Sequence, residues 1–355
     1  MKKNILIIDD SALMRRVLSD IINSDDRFNA TEVAVNGLDG LSILQNRGKD
    51  FDAVLLDINM PRMNGIELLA TLKELNIKAT IIVVSTIAKK EAKETIRALE
   101  LGAFDFVTKP ESYLEVKGNF FFNRILECLV TATRAEARIK TEPIKPVIEL
   151  SRRKAPTQLP QGANKLVALA CSTGGPKALH MVIPNLPENL DAAVLIVQHM
   201  PGGFTKSLAD RLNELSPLTV KEAEDGDILS KGTVYIAKGG YQMRLKKQVD
   251  GRYLLAISQE PARHGLLPCA DIMYESLVDT NFDQITCVVL TGMGGDGTAG
   301  ISQLYNKQNI YVIAQNEETC IVYGMPKVIK DAGLVDEVVA LNNVSDAIIK
   351  NVGVR

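Results

Sequence analysis

Ile5-Leu6-Ile7-Ile8-Asp9-Asp10-Ser11-Ala12-Leu13-Met14 opens the first regular segment of the chain and decides the kind of fold that follows. The continuous apolar run at residues 5–8 reads as a buried strand. Beyond the two aspartates, Leu13, Met14, Val17, Leu18, Ile21 and Ile22 fall on one face at the helical period. The unit repeats: residues 53–56 and 80–84 are buried-strand runs, and 38–44, 66–75 and 92–101 read as helices. Such alternation builds a parallel sheet covered on both faces, a doubly wound α/β domain.

Past residue 118 the pattern changes. Residues 120–137 read as one helix whose later part is charged and alanine-rich. Residues 141–163 hold Pro143, Pro146, Pro156 and Pro160 with little periodicity, the composition of a linker that buries too little surface to fold. Its Arg152-Arg153-Lys154 run reads as a solvated tether rather than a nucleic-acid patch. A second α/β region starts at Lys165, with candidate strands at 166–171, 193–197, 233–237, 285–290 and 310–314. The expected organisation is a domain over 1–118, a linker over 119–163 with a helical start and a Pro-rich remainder, and a second doubly wound domain over 164–355.

Composition narrows the function classes. In 355 residues, 46% are hydrophobic, 5% aromatic and none is Trp, and the formal net charge is −2. That balance argues against a basic groove or an aromatic platform for nucleic acid. The five cysteines form no CxxC pair and read mostly as small buried hydrophobes in a reducing compartment. No apolar run reaches about 18 residues, and the N-terminus lacks a signal-peptide pattern. The expectation is a soluble, cytoplasmic protein that is not embedded in a membrane.

Polar residues gather where the strands end. Asp9 and Asp10 follow the first strand and Asp57 ends the third, so all three open onto one edge of a parallel sheet, where ligands bind. Converging carboxylates repel one another unless a cation joins them, and oxygen-only ligation suits Mg2+. Ser85 ends the next strand, and Lys109 follows the strand-like 104–107. A hydroxyl and an ammonium there could hold the oxygens of a phosphoryl group on Asp57. Solvated loop acids are the bland alternative, and five complementary residues at successive strand ends argue against it. Together with Asn59-Met60-Pro61, Asn64-Gly65, Ser85-Thr86 and Phe106 to Pro110, these residues make 1–112 resemble a response-regulator receiver. The resemblance implies Mg2+-dependent phosphorylation of Asp57 by a histidine kinase, and Phe106 lies where the change could reach the domain surface.

The second region repeats the logic with different chemistry. The strand at 166–171 runs into Ser172-Thr173-Gly174-Gly175-Pro176 and a helix, placing Ser172 at a corner beside two glycines that permit close substrate approach. A plain helix N-cap is an equal reading of that serine. His199 ends the strand at 193–197 and is the candidate general base. His180 points along a helix, roughly 9 Å from its start, and His264 is in a loop. The strand at 285–290 leads into Gly292-Met293-Gly294-Gly295-Asp296-Gly297. Asp296 there would orient His199, and N–H groups of the loop, Met293 especially, would form an oxyanion hole.

Two rival readings attach to the same residues. Gly292-x-Gly294-x-x-Gly297 fits a dinucleotide fingerprint, with Glu317 downstream for a ribose, but fewer than about 40 residues remain beyond it for a second nucleotide half. Cys171 could serve as a nucleophile, but alternation along the strand turns it away from Ser172 and into the core.

The motifs Ser172 to Pro176, Gln198-His199-Met200-Pro201 with Phe204-Thr205, Leu290 to Gly297 and Cys320 to Lys327 together resemble the chemotaxis methylesterase family over roughly 165–335. The resemblance implies hydrolysis of glutamate γ-methyl esters, with deamidation of glutamines, on methyl-accepting chemotaxis receptors. The chemotaxis histidine kinase would be the phosphodonor, and the esterase itself would need no cofactor. The chain departs from the family at Ala170-Cys171, Lys238, Tyr241-Gln242, Leu267 and Cys269, which bears on rate and receptor choice. A non-enzymatic receiver-controlled adaptor is a further reading, and a DNA-binding output finds no basic recognition helix in 165–355.

Overall fold

The computed structural model describes residues 2–110, 119–134 and 164–355. They form two compact units, divided between Glu142 and Pro143. Most of the expected Pro-rich linker, including 141–163, lies outside the described residues.

The first unit runs β1 (Lys3–Ile8), α1 (Ala12–Asn23), β2 (Phe28–Ala34), α2 (Gly37–Arg47), β3 (Ala53–Asp57), α3 (Gly65–Glu74), β4 (Ile81–Ser85), α4 (Lys89–Leu101) and β5 (Asp105–Thr108). Its five strands are parallel in the order β2-β1-β3-β4-β5. The direction of winding reverses between β1 and β3, which opens a crevice at their carboxyl ends. Local signals start the helices: Ser11 Oγ accepts the Met14 N–H, and Asn64 and Glu67 form a reciprocal capping box. β3 and β4 are buried along their whole length, as the unbroken apolar runs require.

β2 was not legible as a strand. Its residues alternate between buried and open because it is the sheet edge, and polar Asn29, Thr31 and Glu32 interrupt the apolar signal. The helical head of the expected linker, α5 (Asn119–Thr133), is part of this unit's core. Phe121, Ile125, Cys128 and Leu129 pack with Ile5, Ile7 and Leu55, and Arg124 pairs with Asp105 at 2.9 Å. The helical period supplies one apolar face, and the first sheet buries it.

The second unit continues β6 (Lys165–Cys171), α6 (Gly175–Val182), β7 (Ala193–Gln198), α7 (Phe204–Leu215), β8 (Thr219–Glu222), β9 (Thr233–Ile236), β10 (Gln242–Lys247), β11 (Tyr253–Ser258), α8 (Ala270–Glu275), β12 (Gln284–Val289), α9 (Thr298–Tyr305), β13 (Ile310–Gln315), α10 (Met325–Asp331), β14 (Glu337–Val339) and α11 (Val344–Val352). Seven strands form a parallel sheet in the order β14-β13-β12-β6-β7-β9-β8, beside an antiparallel β10–β11 hairpin. The chain winds outward from β6 through β7, then returns to place β12 on the other side of β6. β6, β7 and β12 are therefore adjacent at the centre, and their carboxyl ends share one crevice.

Candidate functional site

The acidic site sits at the winding reversal of the first sheet. Asp9 and Asp57 are buried and Asp10 is exposed, and one carboxylate oxygen from each lies within 4.8 Å of the others. Lys109 Nζ bridges two of them, 3.0 Å from Asp9 Oδ2 and 2.9 Å from Asp57 Oδ1. Asp9 also accepts the Ser11 N–H and Asp57 the Ile58 N–H, each at 2.8 Å. Burial pushes Asp57 up to about 6, against the pull of Lys109 and with a further push from Asp9. Burial disfavours the Lys109 ammonium, yet Asp57 and Asp9 together hold it above its ordinary value.

Ser85 is fully buried at the end of β4, and its Oγ accepts from Thr95 Oγ1 at 2.9 Å. Phe106 is buried on β5, 6% exposed. Asp57 thus shares an acidic cluster with Asp9 and Asp10, is paired with the Lys109 ammonium, and ends the strand next to the one that Ser85 ends. The carboxylate set suits Mg2+ by donor chemistry.

In the second unit, strand register sets the candidate serine and histidine side by side. Cys171 of β6 pairs with Gln198 of β7, so Ser172 and His199 leave neighbouring strands at the same level. The His199 N–H extends the ladder to Cys171 O at 3.2 Å, and the Ser172 N–H donates to Thr291 O beyond β12 at 3.0 Å. Gln198 steadies the corner from below, its Nε2 donating to Ser172 O at 3.0 Å and its Oε1 accepting from Cys171 Sγ at 3.1 Å. Gly174, in the left-handed region at φ 79°, is the N-cap of α6, so Ser172 is not the cap that a plain structural role would make it. Gly292 permits the close approach, since a Cβ there would lie 2.8 Å from Ser172 Cβ.

Asp296 reaches His199 across the crevice, Oδ2 to Nε2 at 2.7 Å. Both side chains are largely enclosed, at 9% and 6% exposure. Oδ2 also accepts the Ala270 N–H at 2.6 Å, and Oδ1 accepts the N–H groups of Asp271 and Gly297 at 3.0 Å each and the Cys269 thiol at 3.1 Å. Burial opposes its ionisation. The hydrogen bond and charge of His199 and the backbone donors outweigh that and hold the carboxyl well below the usual range. Thr173 is buried and its carbonyl accepts from Thr291 Oγ1 at 3.0 Å, which ties the serine corner to the glycine loop. Gly175 is buried at the start of α6, Met293 is half-buried, and Gly294 is exposed at φ 82°.

The other histidines lie elsewhere. His180 Nδ1–H donates to Pro176 O at 2.7 Å within α6, and His264 is exposed in a loop. Cys171 is fully buried, and burial raises its thiol far from reactivity.

Sequence reasoning missed the supports of Asp296. Asp271 accepts the N–H groups of Gly297 and Gly300 at 2.9 and 2.7 Å, locking α8 to the head of α9. Burial and the neighbouring Asp296 push Asp271 up to about 6. Gln242 and Cys269, noted only as departures from a family pattern, stand against this same carboxylate shell. Gln242 Oε1 accepts the Cys269 N–H at 2.9 Å. Lys238 instead covers the Tyr241 ring at 4.7 Å. Among the described residues, no helix is long and apolar enough to cross a membrane.

Together these define a class: a chain with an acidic cluster at the strand ends of one doubly wound unit, and a serine, a histidine and an aspartate at neighbouring strand ends of another. Residues 167–348 match the family described as CheB methylesterase, and residues 5–117 match the response regulator receiver domain. The chain belongs to the CheB methylesterase family and carries a receiver domain. A relative from Syntrophomonas wolfei, named protein-glutamate methylesterase/protein-glutamine glutaminase 1, is 39% identical over 98% of this chain and 99% of its own length. One from Bacillus subtilis, of the corresponding name, is 38% identical over 97% of each. The catalytic domain of the Thermotoga maritima CheB methylesterase, a crystal structure, superposes with a TM-score of 0.52 at 41% identity, covering 54% of this chain and all of that one.

Proposed function

We propose that the chain hydrolyses glutamate γ-methyl esters, and deamidates glutamines, on methyl-accepting chemotaxis receptors in the cytoplasm, under control of phosphorylation at Asp57. The observation that carries the hydrolytic assignment is the enclosed His199–Asp296 pair, 2.7 Å apart, beside a serine on the neighbouring strand. With Nε2–H given to Asp296, the lone pair of His199 is on Nδ1. Ser172 Oγ attacks the ester carbonyl while its proton passes to that nitrogen, and Asp296 stabilises the imidazolium. The proton then leaves with methanol, or with ammonia from a glutamine. Water activated by His199 cleaves the acyl-serine to free glutamate and restores Ser172. N–H groups around Met293 and Gly294 face the oxyanion, and Thr173, Gly174 and Gly175 line the approach.

Methanol release from methylated receptor tests this. Ser172→Ala, His199→Ala and Asp296→Ala should each abolish most of it, and the triple variant should be little worse than the worst single one. Losses that multiplied would refute a shared unit. A serine-reactive fluorophosphonate should label Ser172, whereas an adaptor without turnover would stay unlabelled.

In the receiver, Asp57 is the nucleophile toward the phosphohistidine of the chemotaxis histidine kinase, taking the phosphoryl group as the histidine nitrogen leaves. Mg2+ held by Asp9, Asp10 and Asp57 would neutralise the phosphoryl oxygens. Lys109 and Ser85 bind those oxygens, and Phe106 sits on β5, the strand that leads into Lys109. Domain limits of 1–118 and 164–355, with helix 119–133 counted with the first, fit this division of labour. A small phosphodonor with Mg2+ should raise the esterase rate of the full chain but not of Asp57→Asn.

A further inference from the structure

We propose that Cys269 is a positioning residue for the hydrolysis, its thiol fixing how much negative charge Asp296 presents to His199. The inference rests on the Ser172–His199–Asp296 reading above and deepens it. Asp296 divides its oxygens between two tasks. Oδ2 faces His199, while Oδ1 takes the N–H groups of Asp271 and Gly297 and the thiol of Cys269. The main-chain donors are set by the fold. Among the described residues, two side chains besides His199 touch Asp296: the Cys269 thiol, which keeps its proton and donates throughout, and the Asp271 carboxyl, which donates only when it is itself protonated, so Cys269 is the donor that substitution can tune.

Its seat is rigid. Cys269 is fully buried, its N–H donates to Gln242 Oε1 at 2.9 Å, and Gln242, also fully buried, donates from Nε2 to Leu266 O at 3.3 Å. Burial, with Asp296 beside it, pushes the thiol up to about 12, so it keeps the proton it donates. The other groups facing this carboxylate are His199, Asp271 and Tyr274. Tyr274 gives its hydroxyl to Ala168 O and Val288 O. Arg263 faces Cys269 and Asp271 but is paired with Glu275 at 2.6 Å.

A thiol is a weak donor. It draws less charge from Oδ1 than a hydroxyl would, leaving Oδ2 a stronger partner for the imidazolium. A stronger donor at 269 would make protonated His199 costlier, and no donor would make it cheaper. The two substitutions therefore act in opposite directions.

The experiment is kcat/KM against pH for methyl-ester hydrolysis by the full chain, its acid limb reporting the essential base. Cys269→Ser should move that limb to lower pH, and Cys269→Ala to higher pH, each by roughly half a pH unit. A carbon NMR titration of the His199 ring gives the same displacement without turnover. An acid limb unmoved in both variants, or moved the same way in both, would overturn the assignment, because a side chain that only fills space has no reason to split the two. Asp296→Asn separates the failures. If it is inactive while both Cys269 limbs stay put, only the role of Cys269 falls. If it retains full activity, the triad falls and this role with it.

Discussion

Replacing Asp57 by Asn should stabilise the first unit. The residue is 6% exposed and shares Lys109 with Asp9, and burial pushes its carboxyl up from the usual 3.8 to about 6. A folded state that binds this proton more tightly than the unfolded chain is favoured at low pH. That advantage is lost as pH rises from 3.8 through about 6. Two pH units are worth about 3 kcal/mol, which Asp57 costs the native state above pH 7 as an upper bound. Asparagine carries no charge and keeps an acceptor for the Ile58 N–H, so Asp57→Asn should recover about 2–3 kcal/mol at pH 7.5 and only about half of that at pH 5. Native-state hydrogen exchange at the β3 amides of the full chain reads this unit alone. Adding Mg2+ should close the gap by stabilising the wild type, since a ligand of the native state shifts folding by mass action. A variant no more stable than wild type at pH 7.5, or a gain that does not grow with pH, would show that burial and crowding do not govern Asp57.

Three other outcomes are expected. Gly292→Ala puts a methyl group 2.8 Å from Ser172 Cβ and should lower kcat/KM on the order of 100-fold by displacing the serine; a rate within a few-fold of wild type would mean the corner can yield. Leu129→Ala, at a fully buried position of α5, should cost about 2–5 kcal/mol in exchange protection of β1 and β3 while leaving β12 unchanged, and equal loss in both units would argue against α5 serving the first sheet. Isothermal titration should find no binding of NAD or NADP, because the glycine loop is committed to Asp296; micromolar binding abolished by Gly294→Ala would restore the dinucleotide reading.

The central strands were legible because burial on both faces favours long apolar runs: β3, β4, β7 and β12 are enclosed from end to end, and apart from Thr286 in β12 their polar residues stand at the strand ends. The polar residues that stop such runs are legible for the same reason, and Asp57, Ser172 and His199 are among them. Most edges were not legible. β5 is an edge that stays largely buried and so keeps its apolar signal, but β2, β8 and β14 each have one side open, and β14 has only 3 residues, too few for any period to register. The main-chain support of Asp296 was invisible because two of its donors lie 25 and 26 positions away, and an N–H carries no mark of its residue type. The apolar face of α5 was in the sequence, but the surface it packs against is not written in its own periodicity.

The placement of β12 beside β6 has a consequence for how the molecule reaches its working form. Thr291 must find Thr173 across 118 positions, and Asp296 must find His199 across 97. Parallel pairings this remote cannot close early, since the intervening chain must first give up its freedom. The segment between, from β8 to α8, can acquire local order long before the crevice exists. Hydrolytic competence should therefore arrive with the last long-range docking step, so a chain caught partway through folding carries the serine corner and the histidine but no means of using them.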